Sequence, residues 1–351
     1  MARCPVSPFR LGKMPHVSSK PFRQQDGKVA LVILLILALA GCDSRPAPLK
    51  SEALALGIAI QPSSALLFVA LDRGLFKQNG IAIDLKSYPS GKRALHEGLL
   101  AGAVEMITTA DVPATFAAFE RDDFRIVASL FNADNVNRVV ARIDHGIHRP
   151  SDLKGRRVAT QRASAVHFFL HLFLLEHAVA GQEVEQRFMK AEQLPQALAD
   201  GSVDAFSMRE PYISMARELL GDKAVVFDAP GVYEQMELLL VSAELAQQRP
   251  EVIRRVLSAL LEAERFVQQR PAVAARIVAK RLGIAESAAH ALLPEHAMRV
   301  ELAQSLLLLL EDEARWALNN GLAEGKVPDF MRILAPDILA GIASGRVTVI
   351  R

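Results

Sequence analysis

One short pattern occurs twice in this chain, at residues 99–111 (LLAGAVEMITTAD) and at residues 198–210 (LADGSVDAFSMRE). Without a gap, Gly102 aligns with Gly201, and the copies end on different residue pairs, Ala110–Asp111 and Arg209–Glu210. Each copy reads as a helix end, a glycine turn, a buried strand and a carboxylate. Ligands of α/β sheets sit beyond the carboxyl ends of the strands. The pattern predicts two α/β lobes whose strand ends face one cleft; the alternative is that a common helix–turn–strand unit recurs by chance.

The segments around both copies alternate between strand and helix patterns. Apolar runs such as ALALGIAI and IAIDLKSY predict strands, and ALLFVALDRG between them predicts a helix. Only helical patterns are expected from Pro250 onward. The expected fold class is therefore α/β, in which each lobe is a mostly parallel sheet flanked by helices, with C-terminal helices added. Starts of the late helices are expected at Pro250 and Pro271, and ends at Gly283 and Gly321.

Composition and charge exclude several classes of protein. The chain is 51% hydrophobic and 23% charged, which is typical of a globular protein rather than a disordered one. Residues 1–41 hold six basic residues and one acidic residue, so the rest has 41 − 6 = 35 basic against 39 − 1 = 38 acidic residues, a net charge of −3. Because that part has no basic run and aromatics are only 6%, no nucleic-acid partner is expected.

The N-terminal segment has the pattern of a secretion signal. Lys28 precedes a 12-residue apolar run, residues 29–40, which is too short for a comfortable membrane span and suits a signal peptide. The sequence LAGC that ends at Cys42 resembles a bacterial lipobox. We therefore expect residues 1–41 to be a signal peptide, Cys42 to be lipidated, and residues 42–51 to form a tether.

Two consequences follow for the mature chain, and the translation start is a separate question. Cys4 would be removed with the signal, so no disulfide is possible. Asp43 after the cysteine resembles a signal for retention at the inner membrane, which predicts a lipid-anchored protein at its periplasmic face. Translation from Met14 is an alternative to translation from Met1, because the basic region before the apolar run is long.

Four further segments resemble, in the same order, periplasmic substrate-binding proteins of ABC importers for sulfonates, taurine, nitrate and thiamine-precursor pyrimidines. They read QPSSALLFVALDRGLFKQNGIAIDL, YPSGKRALHEGLLAGAVEMITTADVPATFA, IHRPSDLKGRRVATQRASAVHFFLHLFL and LADGSVDAFSMREPY. The resemblance implies a two-lobed Venus-flytrap fold of type II, with lobe I at 52–137 and 240–351 and lobe II at 138–239. It also implies a monomer that binds a small molecule, uses no cofactor, and delivers its ligand to permease and ATPase subunits.

Two departures from the family pattern leave the ligand open. The stretch after the strand RVAT carries Gln161 and Arg162 where the family usually has a glycine and a hydroxyl residue, and Arg209 stands where the family often has tryptophan. A sulfonate or taurine, a nitrate-like anion and a thiamine-type pyrimidine all remain candidates. The candidate ligand-binding residues are Gln61, Ser63, Ser64, Gly91, Thr108, Thr109, Asp111, Arg162, Ser164, Ala165, Arg209, Glu210 and Tyr212.

Each of these residues has a functional and a structural interpretation. The serines open two predicted helices, where free N–H groups bind anions, but serine also caps helices without any ligand. Arg209 can bind an oxyanion through two hydrogen bonds or form an interlobe salt bridge. Asp111 and Glu210 can hold an amine, pair with Arg209 or latch the lobes. Thr108 and Thr109 are hydroxyl donors or ordinary strand residues.

Catalysis and metal binding are not expected. Paired carboxylates alone are a weak sign of acid–base chemistry, and no nucleophile accompanies them. His167 and His171 share a helix face, where packing is the better interpretation than a two-ligand metal site. The function expected is that of a lipid-anchored solute-binding protein, and an enzyme on the same fold or a sensor lipoprotein are the alternatives.

Overall fold

The computed structural model describes residues 51–292 and 298–350. The expected signal peptide, the lipidated Cys42 and nearly all of the tether lie outside the described residues. The strands, in chain order, are β1 (Glu52–Ala59), β2 (Ile81–Tyr88), β3 (Met106–Ala110), β4 (Phe124–Ala133), β5 (Arg138–Arg142), β6 (Arg157–Thr160), β7 (Glu185–Phe188), β8 (Ala205–Met208), β9 (Ala224–Phe227), β10 (Gln235–Ser242) and β11 (Met298–Glu301).

The helices lie between and after these strands. They are α1 (Ala65–Asp72), α2 (Leu75–Gln78), α3 (Gly91–Arg93), α4 (Asp111–Glu120), α5 (Ala165–Glu176), α6 (Leu194–Ala199), α7 (Tyr212–Leu220), α8 (Ala243–Gln248), α9 (Pro250–Gln269), α10 (Pro271–Leu282), α11 (Glu286–Leu292), α12 (Gln304–Asn319) and α13 (Pro336–Ala343). A 3₁₀ turn, Pro62–Ser64, leads into α1, and α3 continues as a π-helix, Ala94–Leu99. Among the described helices, none is both long and apolar enough to cross a membrane.

The strands form two sheets. The first has the order β11–β4–β10–β3–β1–β2, and the second has the order β7–β6–β8–β5–β9. This arrangement confirms the α/β fold class. Both sheets are mixed rather than mostly parallel in their pairings, because β10 is antiparallel to β3 and β4, and β5 is antiparallel to β8 and β9.

The antiparallel orientations of β5 and β10 have a common cause. The chain leaves the first sheet at the end of β4 and enters the second at β5, and it returns at β10 after β9. Glu237, near the start of β10, lies opposite Ala110 at the end of β3, and Arg138 lies opposite Met208 at the end of β8. Each crossing therefore delivers a strand that begins where its neighbours end. Since β10 begins at Gln235, the return precedes the expected boundary at residue 240.

The late part of the chain is mostly helical. Pro250 and Pro271 begin α9 and α10, and Gly283 follows α10 with a φ of 69°, as the sequence predicted. One expectation is wrong: Val300 and Glu301 belong to β11 rather than to a helix. Pairing of this short strand with β4 overrides the helical pattern, and α12 starts only at Gln304.

Apolar packing differs between the two sheets. One cluster of buried residues surrounds the first sheet and includes nearly all of α1 and the inner face of α9. A second cluster joins residues of β5, β6 and α5 to Trp316 of α12, so α12 and α5 meet along an apolar contact. The Trp316 ring lies 5.0 Å from the ring of Phe168, measured between centroids.

Candidate functional site

The buried polar side chains gather where β3 and β8 end and where β5 and β10 begin. Arg209 follows β8 and is only 4% exposed. Its Nη1 donates a 3.0 Å hydrogen bond to Oε1 of Gln235, and its Nε has no partner. No carboxylate of the described residues lies within ion-pair distance of it, so the salt bridge to Asp111 or a neighbour, one of its two interpretations, is not formed. Burial lowers the pKa of Arg209, and this cost is opposed mainly by the more distant charge of Glu237.

Glu237 is a fully buried acid that sequence reasoning missed. Nε2 of Gln61 donates to both of its oxygens, at 3.0 and 2.9 Å, and Oγ of Ser63 donates to Oε2 at 2.7 Å. Burial raises the pKa of Glu237 to about 7, against the opposing effects of the Ser63 bond and the charge of Arg209. The signal was present in the sequence, since a carboxylate within the apolar run QMELLLVS is costly to bury without a role.

Asp111, at the start of α4, is committed to hydrogen bonds within the protein. It accepts bonds from the backbone N–H groups of Val112 and Met236, each at 2.8 Å, and from the Tyr233 hydroxyl. Burial raises its pKa to about 6, and these bonds oppose the rise. These bonds fasten α4 to the segment that returns into the first sheet at β10.

A second buried acid lies close to Asp111. Glu313 of α12 accepts a 2.6 Å bond from the Thr115 hydroxyl, and its Oε1 has no partner. Burial, followed by the nearby charge of Asp111, raises the pKa of Glu313 well above its usual value. The shift favours the protonated, uncharged form of Glu313 beside Asp111.

Glu210 and Tyr212 have separate roles in the structure. Oε2 of Glu210 accepts a 3.0 Å bond from the N–H of Ser214 in the first turn of α7. No hydrogen bond joins Glu210 to Asp111 or Arg209 in the part of the chain described, so the aligned acids are not brought together. The Tyr212 hydroxyl donates to the carbonyl of Pro89 at 3.1 Å, which joins the two sheets across the cleft.

The predicted helix starts lie at the cleft, but the serine side chains do not cap them. Oγ of Ser64 donates to the carbonyl of Ala59 at 2.8 Å, and Oγ of Ser164 donates to the carbonyl of Gln161 at 2.5 Å. Ala165, the first residue of α5, is fully buried. Capping therefore does not explain these serines, whose hydroxyls instead fix the turns that connect β1 to α1 and β6 to α5.

Several buried polar atoms at or next to the strand ends lack any hydrogen-bond partner, and they come from both sheets. Leaving such an atom unpaired costs about 1–3 kcal/mol, so a group of them points to an external partner. Thr108 lies close enough to Glu237 to hold down its pKa, yet its hydroxyl makes no hydrogen bond of ordinary geometry. The unpaired atoms are Oγ1 of Thr108, Thr109 and Thr160, Oε1 of Gln161, Nε2 of Gln235, Oδ1 of Asn137 and Nε of Arg209.

Gly91 is buried, whereas Arg162 is exposed. A Cβ on Gly91 would be 2.8 Å from the Cα of Thr109, so only glycine lets α3 pack this closely on β3. The Arg162 guanidinium is exposed and stacks over the Phe188 ring at 5.5 Å, apart from the buried cluster. Its carbonyl accepts a 2.5 Å bond from Nζ of Lys92, which is a further link between the sheets.

The histidines pack or make local bonds. His145 binds Asp204 at 2.7 Å. His167 is buried beside Trp316 and bonded to Gln186, and burial lowers its pKa to about 4, so it is neutral at pH 7. In the described ranges no cluster of three or more potential metal ligands occurs.

Residues 61–274 match the NMT1/THI5-like family. This chain belongs to that family. It is 24% identical over 256 residues to a protein of Escherichia coli named for binding aliphatic sulfonates, covering 72% of this chain and 80% of that one. It is 21% identical over 221 residues to the taurine-binding periplasmic protein of Escherichia coli, covering 62% of this chain and 67% of that protein.

Solved structures share the fold. The alkanesulfonate-binding protein SsuA from Xanthomonas axonopodis pv. citri, bound to MOPS, superimposes with a TM-score of 0.70 at 20% identity, over 82% of this chain and 99% of that one. The desulfurization enzyme DSZB superimposes with a TM-score of 0.60 at 19% identity, over 83% of this chain and 98% of that one. The same fold therefore carries both binding proteins and an enzyme, while the sequence relatives support a solute-binding role.

Proposed function

We propose that this protein is the solute-binding component of an ABC importer and that it holds a small organic anion, of the sulfonate class, in the cleft between its two sheets. The observation that carries the proposal is Arg209, a buried guanidinium with one neutral hydrogen-bond partner and no carboxylate at ion-pair distance among the described residues. A buried charge without a counter-ion is costly, and a bound oxyanion would remove that cost.

Unpaired hydroxyls at the ends of β3 and β6 suit the same ligand. The hydroxyls of Thr109 and Thr160, from the first and second sheets, can donate to a sulfonate oxygen that Arg209 also binds. Glu237 gives the site a carboxylate that can bind an amine. An aminosulfonate such as taurine would therefore pair its sulfonate with Arg209 and its amine with Glu237. We propose a binding role rather than catalysis, which predicts that the ligand is chemically unchanged when it is released from the protein.

Binding and closure would be coupled because the ligand contacts both sheets. We propose that residues 134–137 and 228–234, which connect the sheets, act as the hinge between lobe I and lobe II. A ligand that touches both lobes only in the closed state favours that state by its differential affinity. The hydrogen bonds of Tyr212 to Pro89 and of Lys92 to the Arg162 carbonyl would then belong to the closed form.

A ligand panel tests the binding proposal. Purified protein is mixed with ethanesulfonate, taurine, benzenesulfonate, nitrate and a thiamine-type aminopyrimidine, and the thermal midpoint and heat of binding are measured. At least one sulfonate should raise the midpoint through mass action, and mass spectrometry should recover it intact. The Arg209→Gln variant should lose this response, whereas Arg299→Gln, at an exposed surface position, should keep it. A response to the pyrimidine alone, or one unaffected by Arg209→Gln, would refute the proposal.

Anchoring and delivery form the second half of the proposal. The signal segment supports lipidation of Cys42 and a location at the periplasmic face of the inner membrane, from which the protein would serve a permease and its ATPase. Growth with labelled palmitate should label the wild-type protein and not the Cys42→Ala variant, and the variant should appear in the soluble periplasmic fraction. Equal labelling of both proteins would contradict the lipidation of Cys42.

A further inference from the structure

A groove opens on the outer side of the cleft between the two sheets. It has a volume of about 620 Å³ and is lined by α3 with its π-helical continuation on one side and by the segments after β6 and β7 on the other. This volume lies in the range of small-ligand sites. We call it the basic groove and define it by Lys92, Arg93, Arg162, Phe188 and Lys190.

The charges of the basic groove are not balanced. Arg93 binds Glu97 and Glu192, the first of which also lines the groove. The side chains of Lys92, Arg162 and Lys190 have no carboxylate at ion-pair distance in the described part of the chain. Burial, followed by the charge of Arg162, lowers the pKa of Lys92, as expected where cations crowd together. The groove therefore presents an excess of positive charge to solvent.

An exposed aromatic ring lies within this positive surface. Phe188 is 43% exposed, although it packs edge-on against the His167 ring at 5.1 Å. The Arg162 guanidinium covers part of it, and Met189 extends the apolar surface. An inorganic anion has no apolar part that could pack against this surface. The combination suits an anion with an organic part, which can place its charge by the cations and its carbon skeleton on Phe188.

Gln161 belongs both to the lining of the groove and to the residues with unpaired buried polar atoms. This residue lines the groove, its Oε1 lacks a partner, and its Nε2 donates to Oγ of Ser90 across the cleft at 3.1 Å. That bond and the bond of Lys92 to the Arg162 carbonyl both cross the cleft at the groove. Both would have to open when the lobes move apart.

We infer that the basic groove is a first binding site, separate from Arg209, at which an organic anion is captured before the cleft closes around it. The inference rests on the proposed function and adds to it a two-step association. Capture depends on the charges of Arg162 and Lys190, which are exposed and make no bond that holds the lobes through their side chains. Their removal should slow association and leave release from the closed site unchanged.

Stopped-flow fluorescence can separate the two rates. Trp316 is the only tryptophan in the chain and lies at the contact between α12 and α5, so its emission reports closure. Ethanesulfonate and benzenesulfonate serve as probes at low and at 0.5 M salt. The double variant Arg162→Gln, Lys190→Gln is compared with Arg276→Gln, Lys280→Gln on α10, which removes the same net charge far from the groove. Thermal unfolding of both variants checks that they are folded.

The groove variant should associate about tenfold more slowly at low salt, with a weaker salt dependence, while its dissociation rate stays within twofold of wild type. The α10 variant should behave as wild type. Equal association rates for the two double variants would refute the inference, as would a change confined to dissociation. If wild-type protein binds no sulfonate of the ligand panel at equilibrium, the proposed function itself fails; if it binds one normally and only the association prediction fails, the first site alone is wrong.

Discussion

We predict that Arg209 lowers the stability of the ligand-free protein and supplies much of the affinity for the ligand. Replacing it with methionine removes a cation that is 4% exposed and has no carboxylate at ion-pair distance among the described residues. The only hydrogen bond lost is the one to Oε1 of Gln235, and that oxygen keeps its 3.0 Å bond from Nδ2 of Asn137. No new unsatisfied acceptor is left, and Glu237, which loses a nearby positive charge, has a pKa of about 7 and can take up a proton, so the desolvation of the Arg209 charge decides the sign.

The expected magnitude follows from these contacts. Relief of an unpaired buried charge, less one hydrogen bond, should stabilise the ligand-free protein by about 1–3 kcal/mol. For a chain of this size that corresponds to a rise of roughly 2–6 °C in the thermal midpoint. Loss of charge-assisted bonds to an anion costs about 1.5–3 kcal/mol, so affinity for a sulfonate should fall by about 10- to 150-fold.

The assay is thermal unfolding with and without the best sulfonate of the panel, supported by calorimetric titration. Arg142→Met is the matched control, because Arg142 lies in the same sheet and donates to Asp144 and to the carbonyls of Leu198 and Ala199. Its loss should destabilise the protein and leave the ligand-induced shift in place. The reasoning fails if Arg209→Met destabilises as much as Arg142→Met, or if the ligand-induced shift survives in it.

Three further predictions concern the same region. Burial raises the folded-state pKa of Glu237 to about 7, so the stability that protonated Glu237 confers is present below about pH 4.5 and is lost as the pH rises through 7. Between pH 5 and 8 the free energy of unfolding, measured with denaturant, should fall by about 2 kcal/mol more for wild type than for Glu237→Gln. Parallel pH dependences of the two proteins would contradict this. Gly91→Ala should destabilise by about 1–3 kcal/mol in the same assay, because its Cβ would meet Thr109, while Gly345→Ala, where the Cβ meets nothing within 4 Å, should be nearly neutral. Glu192→Gln, which removes an exposed bridge between the sheets, should speed ligand release by no more than about fivefold in stopped-flow measurements, and a larger effect would show that the bridge is worth more than a surface ion pair.

Sequence patterns located the strand ends but not the partners found there. The two aligned copies fold alike, with Gly102 and Gly201 at φ values of 70° and 78° before β3 and β8. Such turns depend on residues close in sequence, so the pattern contains what is needed to predict them. The same holds for Pro250 and Pro271, whose fixed φ suits the first turn of a helix.

Contacts between distant segments could not be predicted in this way. Gln61 and Glu237 are 176 residues apart, and nothing near either residue specifies the other. The same is true of Arg209 and the amide of Gln235, a pairing that neither interpretation of this arginine included. β4 lies in a stretch for which no strand was expected, and its neighbours β10 and β11 come from far along the chain. Predicting such pairings between distant segments requires knowledge of the three-dimensional fold.

The position of β10 bears on the order in which the chain can fold during synthesis. This strand lies between β3 and β4 in the middle of the first sheet, yet it is made only after the whole of the second sheet. A nascent chain that has reached Phe227 can complete the second lobe while the first still lacks its central strand and keeps β1–β3 apart from β4. The first lobe is therefore the later one to fold.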